Sequence, residues 1–155
     1  MPNGTYSQIY IHVVFAVKGR ASMIKPSWEN DLFKYINGII TQKNQKLLAI
    51  NGASDHIHIL ISISPFCRIS DLVREIKKST NRYINSGLIP FGIFSWQEGY
   101  GVFSYSKSDI EKVRAYIKNQ KKHHNEESFR SEYIKLLKDF GVEYKEEYLF
   151  DWNND

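Results

Sequence analysis

The sequence predicts an α+β fold: a ferredoxin-like β-α-β-β-α-β antiparallel sheet with two additional C-terminal helices. Three observations predict it. Segments of period two and segments of helical period follow one another in that order. No internal repeat, low-complexity run or long linker interrupts them. The 155 residues, 42% hydrophobic and 25% charged, suit one domain with one sizeable core.

Residues 6–17 alternate, with Ile9, Ile11, Val13, Phe15 and Val17 on one face and Tyr6, Gln8, Tyr10 and His12 on the other, as a half-buried strand does. Pro26 opens a helix to about residue 45, with Trp28, Leu32, Tyr35, Ile36 and Ile39 at helical spacing. Residues 46–53 and 56–63 read as the second and third strands. Ser70 is placed to cap a helix through about Asn85, whose apolar stripe is Leu72, Val73, Ile76 and Tyr83. Residues 94–105 form an aromatic fourth strand broken by Gly99 and Gly101. Ser108 to Glu111 spells a capping box for a helix through about His124. A last amphipathic helix runs from about Ser128 to Phe140, where Gly141 stops it.

In this arrangement two helices cover one sheet face and the other stays open. Alternation puts Ile57, Ile59, Ile61 and Ile63 on the covered face. His56, His58, Leu60 and Ser62 then point to the open face, with Tyr10 and His12. A ligand site is expected there.

The net charge of +4 hides an asymmetry. Residues 1–124 carry 17 basic and 8 acidic side chains, and residues 125–155 carry 4 basic and 9 acidic ones. A single domain over 1–155 thus divides into a basic body (1–124) and an acidic helix and tail (125–155). Such asymmetry suits a polyanionic partner for the body. The tail, with Tyr148, Leu149, Phe150 and Trp152, is expected to pack as a strap away from that partner. One cysteine, Cys67, excludes an internal disulfide framework and a thiolate zinc cage. The amino terminus lacks the pattern of a signal peptide, and no apolar run approaches the roughly 18–20 residues of a membrane span. These features predict a cytoplasmic protein with no membrane association and no small-molecule organic cofactor.

His56 and His58, two apart on a strand, project the same way about 6.5–7 Å apart. Such imidazoles can converge on one divalent cation, each fixed by its second nitrogen. Two polar residues on an exposed sheet face would give the same pattern. Asp55 is either an acceptor for one of those second nitrogens or a turn residue between hairpin strands. On the helix after Ser108, Tyr116 and Gln120 share a face at i, i+4, with His123 near the same line. Lys112, Arg114, Lys118, Lys121 and Lys122 surround them. This is either an exposed basic helix with a half-buried tyrosine, or a phenol nucleophile beside an amide that offers a metal a neutral oxygen.

Together, the metal-ligand reading of the histidines and the nucleophile reading of Tyr116 suit phosphodiester transesterification. A hard divalent ion polarises the phosphate, and the phenol attacks phosphorus to form a covalent phosphotyrosine that stores the bond energy for rejoining. Two histidines and one glutamine form a ligand set of net charge zero, which suits Mg²⁺ or Mn²⁺. About one free phenol in a thousand is ionised at pH 7, so the ion and cations such as Lys118 must favour the phenolate.

His56-Ile57-His58 resembles the HUH motif (His, hydrophobe, His), and Tyr116-Ile117-Lys118-Asn119-Gln120 resembles the nucleophile helix of single-tyrosine HUH transposases. Those enzymes serve insertion sequences that move as single strands; domesticated, repeat-associated relatives share the motifs. The similarity covers nearly the whole chain: Tyr10 to Phe15 with Lys18 and Arg20, Asp55 to His58, Trp96 to Gly101, Tyr116 to Gln120 with His123-His124, and Gly141 to Tyr144. The resemblance implies His56, His58 and Gln120 as ligands of Mg²⁺ or Mn²⁺ and Tyr116 as nucleophile. It implies single-stranded DNA with hairpin ends as substrate, cut to leave a 5′-phosphotyrosine and a free 3′-OH. It further implies a homodimer in which the tyrosine helix of one subunit can serve the histidine pair of the other.

Arg20, Arg74, Lys77, Lys78, Arg82, Lys118, Lys121 and Lys122 are the candidates for DNA-backbone contacts, solvated surface being the alternative for each. Trp96 and Tyr100 are candidates for stacking on unpaired bases or for core packing. Three rival classes remain to compare. A noncatalytic single-stranded nucleic-acid binder on this sheet needs exposed aromatics on central strands, where the third strand has histidines. A domesticated endonuclease acting on chromosomal repeats would look the same in sequence. Histidine-triad hydrolases and two-histidine phosphoesterases are excluded, because Ile59-Leu60 follows His58 where those need another His or a Ser/Thr.

Overall fold

The computed structural model describes residues 3–19 and 23–152. Four strands, β1 (Ile9–Ala16), β2 (Lys46–Gly52), β3 (His56–Ile63) and β4 (Gly101–Tyr105), form one sheet in the order β2-β3-β1-β4. Every neighbouring pair is antiparallel. The helices are α1 (Pro26–Gln42), α2 (Ile69–Asn85), α3 (Ile110–Lys118), α4 (Gln120–Glu126) and α5 (Phe129–Asp139). The α+β, ferredoxin-like arrangement predicted above is therefore observed.

The face covered by α1 and α2 is apolar. Leu32, Ile36 and Ile40 of α1 and Val73 and Ile76 of α2 pack in one cluster with Val13, Phe15, Ile57, Ile59 and Ile61. Burying a side chain of that size contributes about 1.5–3 kcal/mol. Gly52 lets the β2–β3 hairpin close: a Cβ there would lie 2.2 Å from the His56 carbonyl oxygen. That turn delivers His56 and His58 to the sheet centre, where Ala16 pairs with His56 and Val14 with His58.

The other face is not open, which corrects the expectation. His12, His56, His58 and Leu60 are all 0% exposed. Ile110, Val113 and Ile117 of α3 pack on Leu60 and Ala49, and Phe129 of α5 stacks on the His56 ring with centroids 3.9 Å apart. Burial of polar residues is tolerated when each finds a hydrogen-bond partner, and here Gln120 and Glu132 on the C-terminal helices join Asp55, His12 and Tyr105 of the sheet and its hairpin.

Local differences have local causes. The fourth strand shrinks to five residues, because Gly99 turns the chain at φ +83° and the stretch before it meets β1 as an isolated bridge, Trp96 to Val17. Ser70 caps nothing: α2 begins one residue earlier, with Arg68 at the N-cap position. The capping box at Ser108 is not formed. Ser106 Oγ bonds Ser108 Oγ and Asp109 instead, and a 3-10 turn (Lys107–Asp109) precedes α3. The helix expected through His124 breaks at Asn119 (φ −93°, ψ 18°), so Gln120 opens α4. Ser128 does cap α5, accepting from the Ser131 N–H, and Gly141 follows it at φ +64°. In the tail Phe150 is buried against Phe129 and Tyr133, whereas Tyr148 is 79% exposed, so the strap packs through part of its aromatic set. No helix among the described residues is long and apolar enough to cross a membrane.

Candidate active site

Five side chains from four elements meet over the centre of β3. The Nε2 of His56 lies 3.0 Å from Gln120 Oε1 and 3.3 Å from Glu132 Oε1. The Nε2 of His58 lies 3.3 Å from the same Glu132 oxygen. Gln120 Nε2 donates to Glu132 Oε2 at 2.8 Å, and the Tyr116 hydroxyl donates to that oxygen as well. The Tyr116 and His58 ring centroids are 5.8 Å apart, so the tyrosine stands beside the histidine pair of its own chain.

The break at Asn119 leaves Tyr116 on α3 and Gln120 in the first turn of α4, both over the histidines. Asn51 Nδ2 donates to the Lys118 carbonyl at 2.8 Å and ties this junction to β2.

Each histidine is held by its second nitrogen. Asp55 Oδ1 faces His56 Nδ1 at 2.7 Å, which decides between the two readings of Asp55 in favour of an acceptor. His58 Nδ1 meets His12 Nε2 at 2.7 Å, and His12 Nδ1 in turn lies 3.4 Å from the Tyr105 hydroxyl. Fixing the outer nitrogen this way aims the inner one and sets its tautomer.

The electrostatics follow from burial and from two carboxylates. Burial pushes His56 down, but hydrogen bonds and charge from Asp55 and Glu132 outweigh it and raise His56 to about 9. Both of its nitrogens thus face acceptors, as suits an imidazolium. Burial raises Glu132, yet bonds to His56 and His58 hold it well below the usual carboxylate range. His58 is lowered, chiefly by burial, and His12 still more, by burial and by the charge of His58. Burial and then the Glu132 charge push the Tyr116 phenol above its ordinary value.

Among the described residues two groups could hold a metal ion: His56, His58 and Glu132, and Asp55, His56 and His124. The first has the better donor set, since its ring nitrogens, carboxylate oxygen and the Gln120 amide oxygen turn toward one another. In the second, Asp55 is already engaged by His56, and His124 Nδ1 stands 4.0 Å away. Imidazole, amide oxygen and carboxylate together form a donor set that suits a divalent metal ion.

The candidate cations fall into two sets. Arg74, Lys77, Lys78 and Arg82 lie on α2, across the sheet from the histidines. Arg74 pairs with Asp71, and Lys77 Nζ donates to the Gln97 and Gly99 carbonyls at 2.8 and 2.6 Å; Lys78 and Arg82 are exposed. Lys118 and Lys122 are exposed on the tyrosine side. Lys121 is occupied internally, bonding Glu29, Asn51 and the Gly52 carbonyl. Arg20 lies outside the described residues. Trp96 is core, its Nε1 donating to Thr80 at 2.8 Å, whereas Tyr100 is 37% exposed.

Two members of the site carry no role in the sequence reading. His12 is placed near it by strand alternation alone, and its contact with His58 is long-range. Glu132 sits three residues after Phe129 on the apolar stripe of α5, and a carboxylate in such a stripe is the available signal.

The profile of the family described as "Transposase IS200 like" matches residues 5–120, a span that includes His56, His58, Tyr116 and Gln120 and ends before Glu132. The chain is 23% identical over 122 residues to the ISDra2 transposase TnpA of Deinococcus radiodurans, covering 76% of this chain and 87% of that protein. It is 28% identical over 114 residues to the transposase for insertion sequence element IS200 of Salmonella typhimurium, covering 70% and 74%. In fold it is similar to a REP-associated tyrosine transposase bound to a REP hairpin, with a TM-score of 0.60 at 16% identity over 80% of this chain and 74% of that one.

Proposed function

Since this chain belongs to the IS200-like transposase family, whose activity is DNA cleavage, we propose that it cuts and rejoins single-stranded DNA at hairpin-marked ends. The Tyr116 oxygen attacks phosphorus, the P–O3′ bond breaks, and the products are a 5′-phosphotyrosine and a free 3′-OH. Attack by a 3′-OH on that linkage reverses the step, returns the proton to Tyr116 and rejoins the strand. His56, His58 and Gln120 hold a divalent ion, Mg²⁺ or Mn²⁺. Such an ion, when bound, polarises the scissile phosphate and offsets charge on the leaving oxygen.

The chain's own groups do the positioning. Asp55 and His12 lock the two imidazoles, and the Asn51–Lys118 bond sets where Tyr116 stands. The resting phenol keeps its proton, donated to Glu132, because burial and that carboxylate disfavour the phenolate. Lys118 and Lys122 contact DNA phosphates beside the tyrosine, and Arg74, Lys77, Lys78, Arg82 and Arg20 contact them elsewhere, with Lys121 the weakest candidate. A homodimer belongs to the same reading. In that dimer each chain carries Tyr116 beside its own histidine pair, and the tyrosine helix of one subunit can also serve the pair of the other.

The supporting observation is the approach of Tyr116, His56, His58 and Gln120 to one carboxylate from three separate segments of chain. The test is incubation with labelled single-stranded hairpin DNA and Mn²⁺, followed by denaturing electrophoresis. The wild-type chain forms a covalent adduct. Tyr116→Phe binds the hairpin and forms none; an adduct surviving that change removes Tyr116 as nucleophile.

A further inference from the structure

Glu132 is an acidic side chain only 5% exposed, yet it lies in the acidic segment 125–155, expected to stay clear of the chemistry. The N-cap at Ser128 fixes the start of α5, and Phe129 stacks on His56 with rings 8° from parallel. One helical turn later Glu132 reaches the gap between the imidazoles. Its Oε1 is 3.3 Å from both inner nitrogens. Its Oε2 accepts from Gln120 Nε2, which turns the Gln120 carbonyl oxygen back to 3.0 Å from His56 Nε2.

This arrangement sets acceptor against acceptor. The inner faces of Gln120 Oε1 and Glu132 Oε1 carry lone pairs, and a histidine nitrogen ready to bind metal carries one too. Protons on the imidazoles reconcile these groups in the protein alone. A divalent cation reconciles them with every ligand in its ordinary metal-binding form. One such contact would anchor α5; the convergence of both inner nitrogens and the turned Gln120 amide on one carboxylate is also the layout of a metal-ligand cluster.

We propose that Glu132 is a fourth protein ligand of the divalent-ion site, supplied by the C-terminal helix and lying outside the family-matched segment. The inference rests on the metal-site reading above. The ligand set becomes two imidazoles, one amide oxygen and one carboxylate, of net charge −1 rather than zero. One unit of positive charge remains on the bound ion to face the phosphate. The carboxylate also favours Mg²⁺ or Mn²⁺ over softer metals more strongly than histidine and glutamine alone. The acidic segment is thereby part of the site, and removing α5 removes a ligand as well as packing.

The test is Mn²⁺ binding to the metal-stripped full chain without DNA, followed by the electron paramagnetic resonance signal of free Mn²⁺. Glu132→Gln keeps size and hydrogen-bonding capacity; it should weaken binding by about tenfold or more, with the circular dichroism of the folded protein retained. His58→Ala should weaken it as well. Wild-type affinity in Glu132→Gln, with binding lost in His58→Ala, overturns the Glu132 assignment and leaves the histidine site standing. Wild-type affinity in both overturns the metal site itself. A measurement on the wild-type chain avoids dependence on variant folding. In protein labelled with 13C-glutamate, the infrared difference spectrum on Mn²⁺ addition should contain an isotope-shifted carboxylate band. Its absence also overturns the assignment.

Discussion

The two faces of β3 are buried in opposite ways. Ile57, Ile59 and Ile61 look toward α1 and α2, and His56, His58 and Leu60 look toward the C-terminal helices; all six are 0% exposed. The isoleucines need only volume around them, since hydrophobic burial is non-directional. The histidines need a named partner for each nitrogen, and they take Asp55, His12, Gln120 and Glu132 from four places in the chain. Aliphatic packing thus sets how firmly the sheet is held, and the polar face sets what it can do. Disturbing one face should leave a different signature from disturbing the other.

The largest contrast comes from adjacent residues. His58→Ala should lower the yield of covalent DNA adduct at least a thousandfold, on the order of losses seen when one member of a catalytic unit is removed. Ile59→Ala should lower unfolding free energy by roughly 2–5 kcal/mol and leave adduct formation per folded molecule unchanged. Urea melts and gel assays on both variants check this; a His58 variant that cleaves normally would erase the division.

A smaller effect should follow at the polar network's margin. Asp55→Ala removes the acceptor on the outer nitrogen of His56, and Mn²⁺ affinity should fall about 10–100-fold, as read by calorimetric titration. An unchanged affinity would make Asp55 a turn residue only. Smaller again is the effect of the exposed α2 cations. Lys78→Ala and Arg82→Ala should each reduce the salt-dependence slope of hairpin binding by about 1, with cleavage at saturating DNA intact. A slope that does not move would take the α2 side off the DNA path.

The smallest is a pH effect on the dry side. Burial outweighs the Glu98 charge and lowers Lys77 from 10.5 to about 8. Between those two values the unfolded chain binds more protons than the folded one, so stability should rise with pH through that window. Lys77→Met should flatten the rise in urea melts from pH 8 to 10.5; an equal rise in the variant would assign it to other groups.

How much of this was legible in the sequence depends on which physical rule each part obeys. Strand alternation and helix spacing are local, and they located all four strands, the α1 and α2 face, and the shared orientation of His56 and His58. The capping box at Ser108 failed because neighbouring serine and aspartate side chains compete for the same bonds. The closed polar face could not be read locally, since it depends on where α3, α4 and α5 return. Glu132 lies 74 residues from His58, and His12 lies 46 residues from it, so neither contact leaves a periodic trace. The acidic tail was legible as charge and only partly as packing, because charge counts do not reveal that one carboxylate of the set turns inward.

The proposed function turns on Tyr116 as the residue that carries the DNA strand. Peptide mass spectrometry of the nuclease-trimmed adduct tests it most directly, because trypsin releases Tyr116 in the short segment 115–118. A phosphate-linked nucleotide is expected on that segment, present with Mn²⁺ and absent after chelation. The same linkage found on Tyr100 or Tyr105, or on no tyrosine while the strand is cut, would contradict it.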